Sequence, residues 1–235
     1  MVLRLAAPAA AQDISINLGQ NGGNGGLTER VIQLIAFVTA LSLAPSILIM
    51  MTSFTRIVVV LSLLRTALGT ATAPPNAVII ALAMFLTAFV MGPALQTAYD
   101  AGVRPLVNNE ITVEQAFDRS SVPLKTFMQK NVREKDLALF SDLSHEPRAA
   151  TPEEMSLRIL VPAFMISELK RAFEIGFLLF LPFLIIDLVV ASVLMSMGMM
   201  MLPPVVVSLP FKLIFFVLVD GWSLVAGSLI QSYGT

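Results

Sequence analysis

Asp187 and Asp220 each stand inside a long apolar run, where an ionised carboxylate is expensive and faces protein or water rather than lipid. Such acids have two uses. They can relay protons in an ion-coupled transporter with broken helices, or they can serve as buried structural charges. Asp220 precedes Gly221 and Trp222, so capping a helix end or bonding across helices accounts for it equally well. The transporter reading predicts inverted repeats, and no convincing repeat is found. Met199, Met200 and Met201 are the second group with chemical character. Thioethers bind soft copper(I), but MSMGMMM has neither Cys nor His beside it, which ranks a copper carrier last. The chain has no cysteine, so disulfides and thiolate metal sites are excluded. Its one histidine, His145, lies in the polar segment SDLSHEPR and reads as a solvated loop residue. No Gly-rich phosphate loop, catalytic triad or metal-ligand cluster is present, so neither an enzyme, a cofactor nor a metal is expected. A net charge of −1 carries no argument for a nucleic-acid partner, and none is expected.

The elements that hold these residues are read from hydropathy. Of the 235 residues, 56% are hydrophobic and 13% charged, which is too apolar for an ordinary soluble domain. Residues 31–51 run for 21 residues without a charge and residues 77–98 for 22, each long enough to span a bilayer as a helix. Between them RIVVVLSLLRTALG carries Arg56 and Arg65 on an apolar helix expected to stop near Gly69, with APPN as a turn and Asn76 as an N-cap. These arginines are the only charges between the two apolar segments. By the positive-inside rule their connection is cytosolic, and the N-terminus and residues 99–158 face outward.

Four regions result. Residues 1–28 are a signal-peptide remnant and flexible linker: MVLRLAAPAAAQ ends in the small residues a signal peptidase cuts after, although its apolar core is too short, and NLGQNGGNGG follows. An untargeted tail is the other reading of the same residues. Residues 29–98 hold the N-terminal apolar helices. Residues 99–158 contain 18 of the 31 charged side chains and form a helical, water-facing insertion. Its helix starts are marked by capping boxes at Thr112 with Gln115 and Thr151 with Glu154. Phe127 and Phe140 are large apolar residues on its charged helices, suited to packing within the insertion or against another subunit. Residues 159–235 form apolar hairpins punctuated by Pro162, Pro182, Pro203, Pro204 and Pro210. If 175–198 run one way and 205–230 return, the tip is GMMMLPP, with no Lys or Arg to hold it in cytosol. Such a tip is expected to end against protein or in a constriction. The fold class is therefore all-α and membrane-associated.

The strings MMTSFTRIVVVLSLLRTALG with APPN, SELKRAFEIGFLLFLPFLIIDLVVASVLMSMGMMMLPP and LPFKLIFFVLVDGW closely resemble the FliP family of flagellar export proteins. The likeness runs from about residue 31 through nearly all of the rest. Homologous injectisome subunits share much of the pattern, but the LPP and LPFK spellings and the extended N-terminus look more like the flagellar branch. The resemblance implies a pore-forming subunit of the type III export gate in the bacterial inner membrane and flagellar basal body. There five copies would join FliQ-like and FliR-like subunits in a conical helical assembly, much of it on the periplasmic side, that passes unfolded polypeptides. It also implies roles for named residues. Met199, Met200 and Met201 match the family's channel-closing methionine loop, for which an unbranched, yielding side chain is well suited. Glu168 and Lys212 match positions expected to form a charge pair between helices or subunits. Pairing of Glu168 with Arg171, one turn on, is the local alternative.

Overall fold

The computed structural model describes residues 31–32, 34–39, 42, 46, 49–144, 155–199 and 201–234. His145, the Thr151–Glu154 box, Met200, residues 1–28 and much of 31–51 lie outside the described residues. The chain divides into two compact units, Met1–Ala44 and Pro45–Thr235. In the first, residues 31–32, 34–39 and 42 are helical and exposed.

The second unit is helical, with no strand among its described residues. Helix α1 spans Phe54–Leu68 and ends at Gly69, whose φ of 78° terminates it as expected. Helix α2, Asn76–Ala98, passes through a π turn, Tyr99–Val103, into the short α3, Arg104–Val107. The insertion carries α4, Val113–Asn131, and α5, Glu134–Ser144. Helix α6, Leu157–Ser196, runs for 40 residues, about 60 Å at the rise of an α-helix. Helix α7, Pro204–Leu218, and helix α8, Gly221–Gln231, complete the unit.

Several expectations are met by local chemistry. Thr112 and Gln115 exchange both bonds of a capping box at the start of α4. Asn76, by contrast, is the first residue of α2 and not its cap. Pro75 takes the cap position, and the Asn76 Oδ1 instead accepts a bond from Arg65 Nη1 at 2.6 Å. Pro162 and Pro182 do not end α6, which is one continuous helix from residue 157 rather than a hairpin arm beginning at 175. The returning arm is broken instead: α7 and α8 meet at a bend of 63°. Asp220 there adopts φ 50°, which an Asp tolerates, and Gly221 follows because a Cβ would lie 2.1 Å from the Phe216 ring.

The main core is the crossing of α1 on α6. Ile57, Val60, Leu61 and Leu64 are buried with Ala172 and Phe183, and Gly176 permits the approach, since a Cβ there would lie 2.3 Å from Leu63 Cδ1. A second cluster, Met128, Met155, Leu160 and Phe164, seats the insertion against the start of α6, with Phe127 packed on it. Phe140 is half-buried on α5. Among the described residues, two helical stretches, Asn76–Val107 and Leu157–Ser196, are long and apolar enough to cross a membrane, and the bent α7–α8 pair makes a third if counted as one span. Only 6% of the most apolar stretch of α6 is buried within the chain. Lipid or other subunits must cover the rest.

Candidate functional site

The hairpin tip is built by its two flanks. At the end of α6 Gly198 takes φ 75°, its N–H bonds Met195 O at 3.1 Å, and Met199 N–H bonds Leu194 O at 3.0 Å. This is the Schellman pattern, and it fixes where Met199 leaves the helix. On the far side Pro203 takes the cap position of α7 and Pro204 the first helical position, where its missing N–H costs nothing. Between these stops Met199 is 42% and Met201 98% exposed, and no charged residue occurs from 188 to 211. Met199 and Met201 are therefore held out on a short loop whose ends are fixed.

Below the tip the two arms leave an apolar groove of about 470 Å³ between Ile185, Val189 and Val193 on α6 and Val207 and Phe211 on α7. An ion pair joins the same two arms. Lys212 Nζ lies 2.6 Å from Asp187 Oδ2 and donates to Ala67 O at 3.2 Å, while Ser208 Oγ donates to Asp187 Oδ1 at 2.5 Å. Lys212 is buried and Asp187 half-buried. The ammonium thus sits on a terminal carbonyl of α1, where the helix dipole favours a cation, and ties α1, α6 and α7 together. Asp187 is thus paired within the chain. Asp220 is exposed at the α7–α8 bend and its side chain makes no capping bond.

Glu168 and Lys212 do not meet within the chain. Glu168 takes Arg56 instead, with Nε to Oε2 at 2.8 Å and Nη2 to Oε1 at 2.5 Å, and its Arg171 alternative is not formed among the described ion pairs. Arg56 is fully buried, so it does not flank a membrane as a loop charge would, and the positive-inside argument loses half of its support. The remaining guanidinium nitrogen, Nη1, donates to Ser232 Oγ at 2.9 Å, and Tyr233 donates its hydroxyl to Glu168 Oε2 at 2.5 Å. The guanidinium carbon lies 3.8 Å from the centre of the Tyr233 ring. Burial raises the Tyr233 phenol far above its ordinary range, and the neighbouring Glu168 carboxylate adds to the rise, so Tyr233 stays a proton donor. Phe127 stacks on that ring at 5.8 Å and meets Phe164 edge-on at 6.1 Å.

One residue earlier on α6, Ser167 makes a separate join. Its hydroxyl donates to Asp136 Oδ2 at 2.6 Å and accepts the Arg133 N–H at 3.1 Å, while Arg133 grips Asp136 with two bonds of 2.8 Å. Burial pushes the Asp136 carboxyl up, but the bonds from Ser167 and Arg133 outweigh it and hold the group below the usual carboxylate range. Sequence reasoning missed Arg56, Ser167, Asp136 and Tyr233. The one available signal was Arg56 itself, an arginine on an apolar helix that required a partner.

The family model described as "FliP family" matches residues 37–229 of the chain. The chain is 63% identical over 228 residues to "Flagellar biosynthetic protein FliP" of Caulobacter vibrioides, covering 97% of this chain and 85% of that one. It is 47% identical over 235 residues to the protein of the same name from Agrobacterium fabrum, covering 99% and 96%. The Bacillus subtilis protein of that name is 54% identical over 202 residues, covering 86% and 91%.

Proposed function

The chain belongs to the FliP family, and on that premise we propose that it is a membrane-embedded subunit of the flagellar protein export apparatus whose methionine tip closes the export channel. The family's breadth of flagellar names supports the flagellar rather than the injectisome branch. The role is structural: the chain forms part of a conduit and performs no covalent chemistry.

One observation carries the assembled-pore reading. A 40-residue helix with 6% of its most apolar stretch buried, interrupted by a half-buried ion pair, suits packing between subunits better than an isolated span in lipid. In the assembly, several copies, five by analogy with the family, surround one axis with FliQ-like and FliR-like subunits. It lies in the inner membrane at the basal body, with the insertion on the periplasmic side. The tips from each copy then converge. Methionines fill an irregular gap, an apolar constriction excludes ions by dewetting, and unbranched side chains yield to an unfolded polypeptide of any sequence.

Affinity purification of the full-length chain from a mild detergent extract tests this assembly. A large complex containing FliQ-like and FliR-like proteins is the expected result. Recovery of the chain alone, under conditions where the detergent leaves other membrane complexes intact, contradicts it.

A further inference from the structure

Helix α8 is bounded by two unusual points. At its start the chain turns through 63° at Asp220, an αL residue with no side-chain capping bond. At its end Ser232 and Tyr233 enter a site made by three other elements: Arg56 of α1, Glu168 of α6 and Phe127 of the insertion. Tyr233 is 4% exposed, while Gln231 and Gly234 on either side are exposed, and Gly234 turns the chain away with φ 71°. A single side chain is thus inserted between exposed neighbours.

We propose that the end of α8 is a strap, anchored in the main core by Val225 and Leu229 and clasped at Tyr233, that holds the insertion on to the apolar helices. The clasp site has a defined chemistry. The Arg56 guanidinium offers a cationic face to the ring, Glu168 accepts the hydroxyl, and Phe127 covers the opposite side. Tyr233 and Ser232 complete the bonding of the buried ion pair, since Arg56 Nη1 has its bonds only to Ser232 among the described residues. Opening the clasp exposes Phe127 and leaves that donor unpaired, so α4 loosens while the α6–α7 hairpin, held by Lys212 and Asp187, stays closed. The insertion and the strap therefore open as one unit.

The test is limited proteolysis of the full-length chain in mild detergent, with cleavage rates inside residues 99–144 and inside residues 175–215 followed separately by mass spectrometry. Tyr233→Ala and truncation after Gln231 are expected to raise insertion cleavage about tenfold or more, leaving the hairpin within about twofold. Tyr233→Phe keeps the ring and loses the hydroxyl, and should fall between these and the original chain. Leu64→Ala, a core change away from the clasp, should raise both rates together. The strap is overturned if insertion cleavage in Tyr233→Phe and Tyr233→Ala stays within about twofold, or if it rises only in step with the hairpin, as for Leu64→Ala. Should Tyr233→Ala fail to fold, the Tyr233→Phe ratio decides the matter by itself.

Discussion

Arg56 and Glu168, 112 residues apart in sequence, meet side-on in two parallel hydrogen bonds with both side chains closed to solvent. Such a fork fits a guanidinium to a carboxylate and is lost with lysine. Removing either partner strands the other's charge in a site closed to solvent. Arg56→Ala or Glu168→Ala is therefore expected to cost about 3–5 kcal/mol of stability, and Arg56→Lys a substantial part of that. The double replacement Arg56→Ala with Glu168→Ala should lose much less than the sum of the single losses. Chemical unfolding in detergent, arranged as a double-mutant cycle, measures the difference; additivity would show that the two residues do not act as a pair.

Acid should release the insertion before it unfolds the rest. The Asp136 carboxyl is held below its unfolded value, so the stability it contributes is present above the unfolded pKa of about 3.9 and is lost as pH falls through the folded value. Insertion protection should therefore be flat from neutral pH to about 4 and fall below it, and Asp136→Asn should remove that dependence. Proteolysis with an acid-active protease, or hydrogen exchange at low pH, follows this directly.

Two glycines should differ in tolerance for a physical reason. A Cβ at Gly102 would lie 2.4 Å from the Ala116 backbone oxygen, whereas one at Gly176 meets the flexible end of Leu63. Backbone cannot move aside as a leucine methyl can. Gly102→Ala should destabilise by about 1–3 kcal/mol and Gly176→Ala by less, as read by thermal unfolding of the purified chain.

Local chemistry was legible in the sequence and remote pairing was not. The stop at Gly69 and the Thr112 capping box depend on residues within a few positions of each other, and both appear where expected. The ion pairs depend on chain crossing. Glu168 had Arg171 one turn away and Lys212 beyond it, yet its partner lies on α1, which the α1–α6 crossing at Gly176 brings alongside. Asp187 and Lys212 face each other only because the hairpin folds back between them. Asp220 looked buried from its apolar neighbours, but the bend it makes turns it outward. Periodicity could not show that α6 continues through Pro162 and Pro182, because a proline in an apolar run reads the same whether the helix stops there or passes through it.

The tip makes its own prediction. On the proposed channel-closing role, changing Met199, Met200 and Met201 together to Ala removes the bulk that keeps the constriction dry, so resting cells should leak small ions while export continues in part. Changing all three to Leu keeps the bulk but adds branching, and should stay closed while secreting less. Solute uptake and secretion measured side by side separate the two. An equally tight Ala variant in an assembled complex would reduce these methionines to turn packing.

The most direct test of the central claim is secretion in an in-frame deletion of this chain, restored by the gene supplied in trans. Hook and filament proteins should be made, remain inside the cell, and return to the medium on complementation, with no flagella formed without it. Normal levels of those proteins in the medium of the clean deletion would contradict the assignment to the flagellar export apparatus.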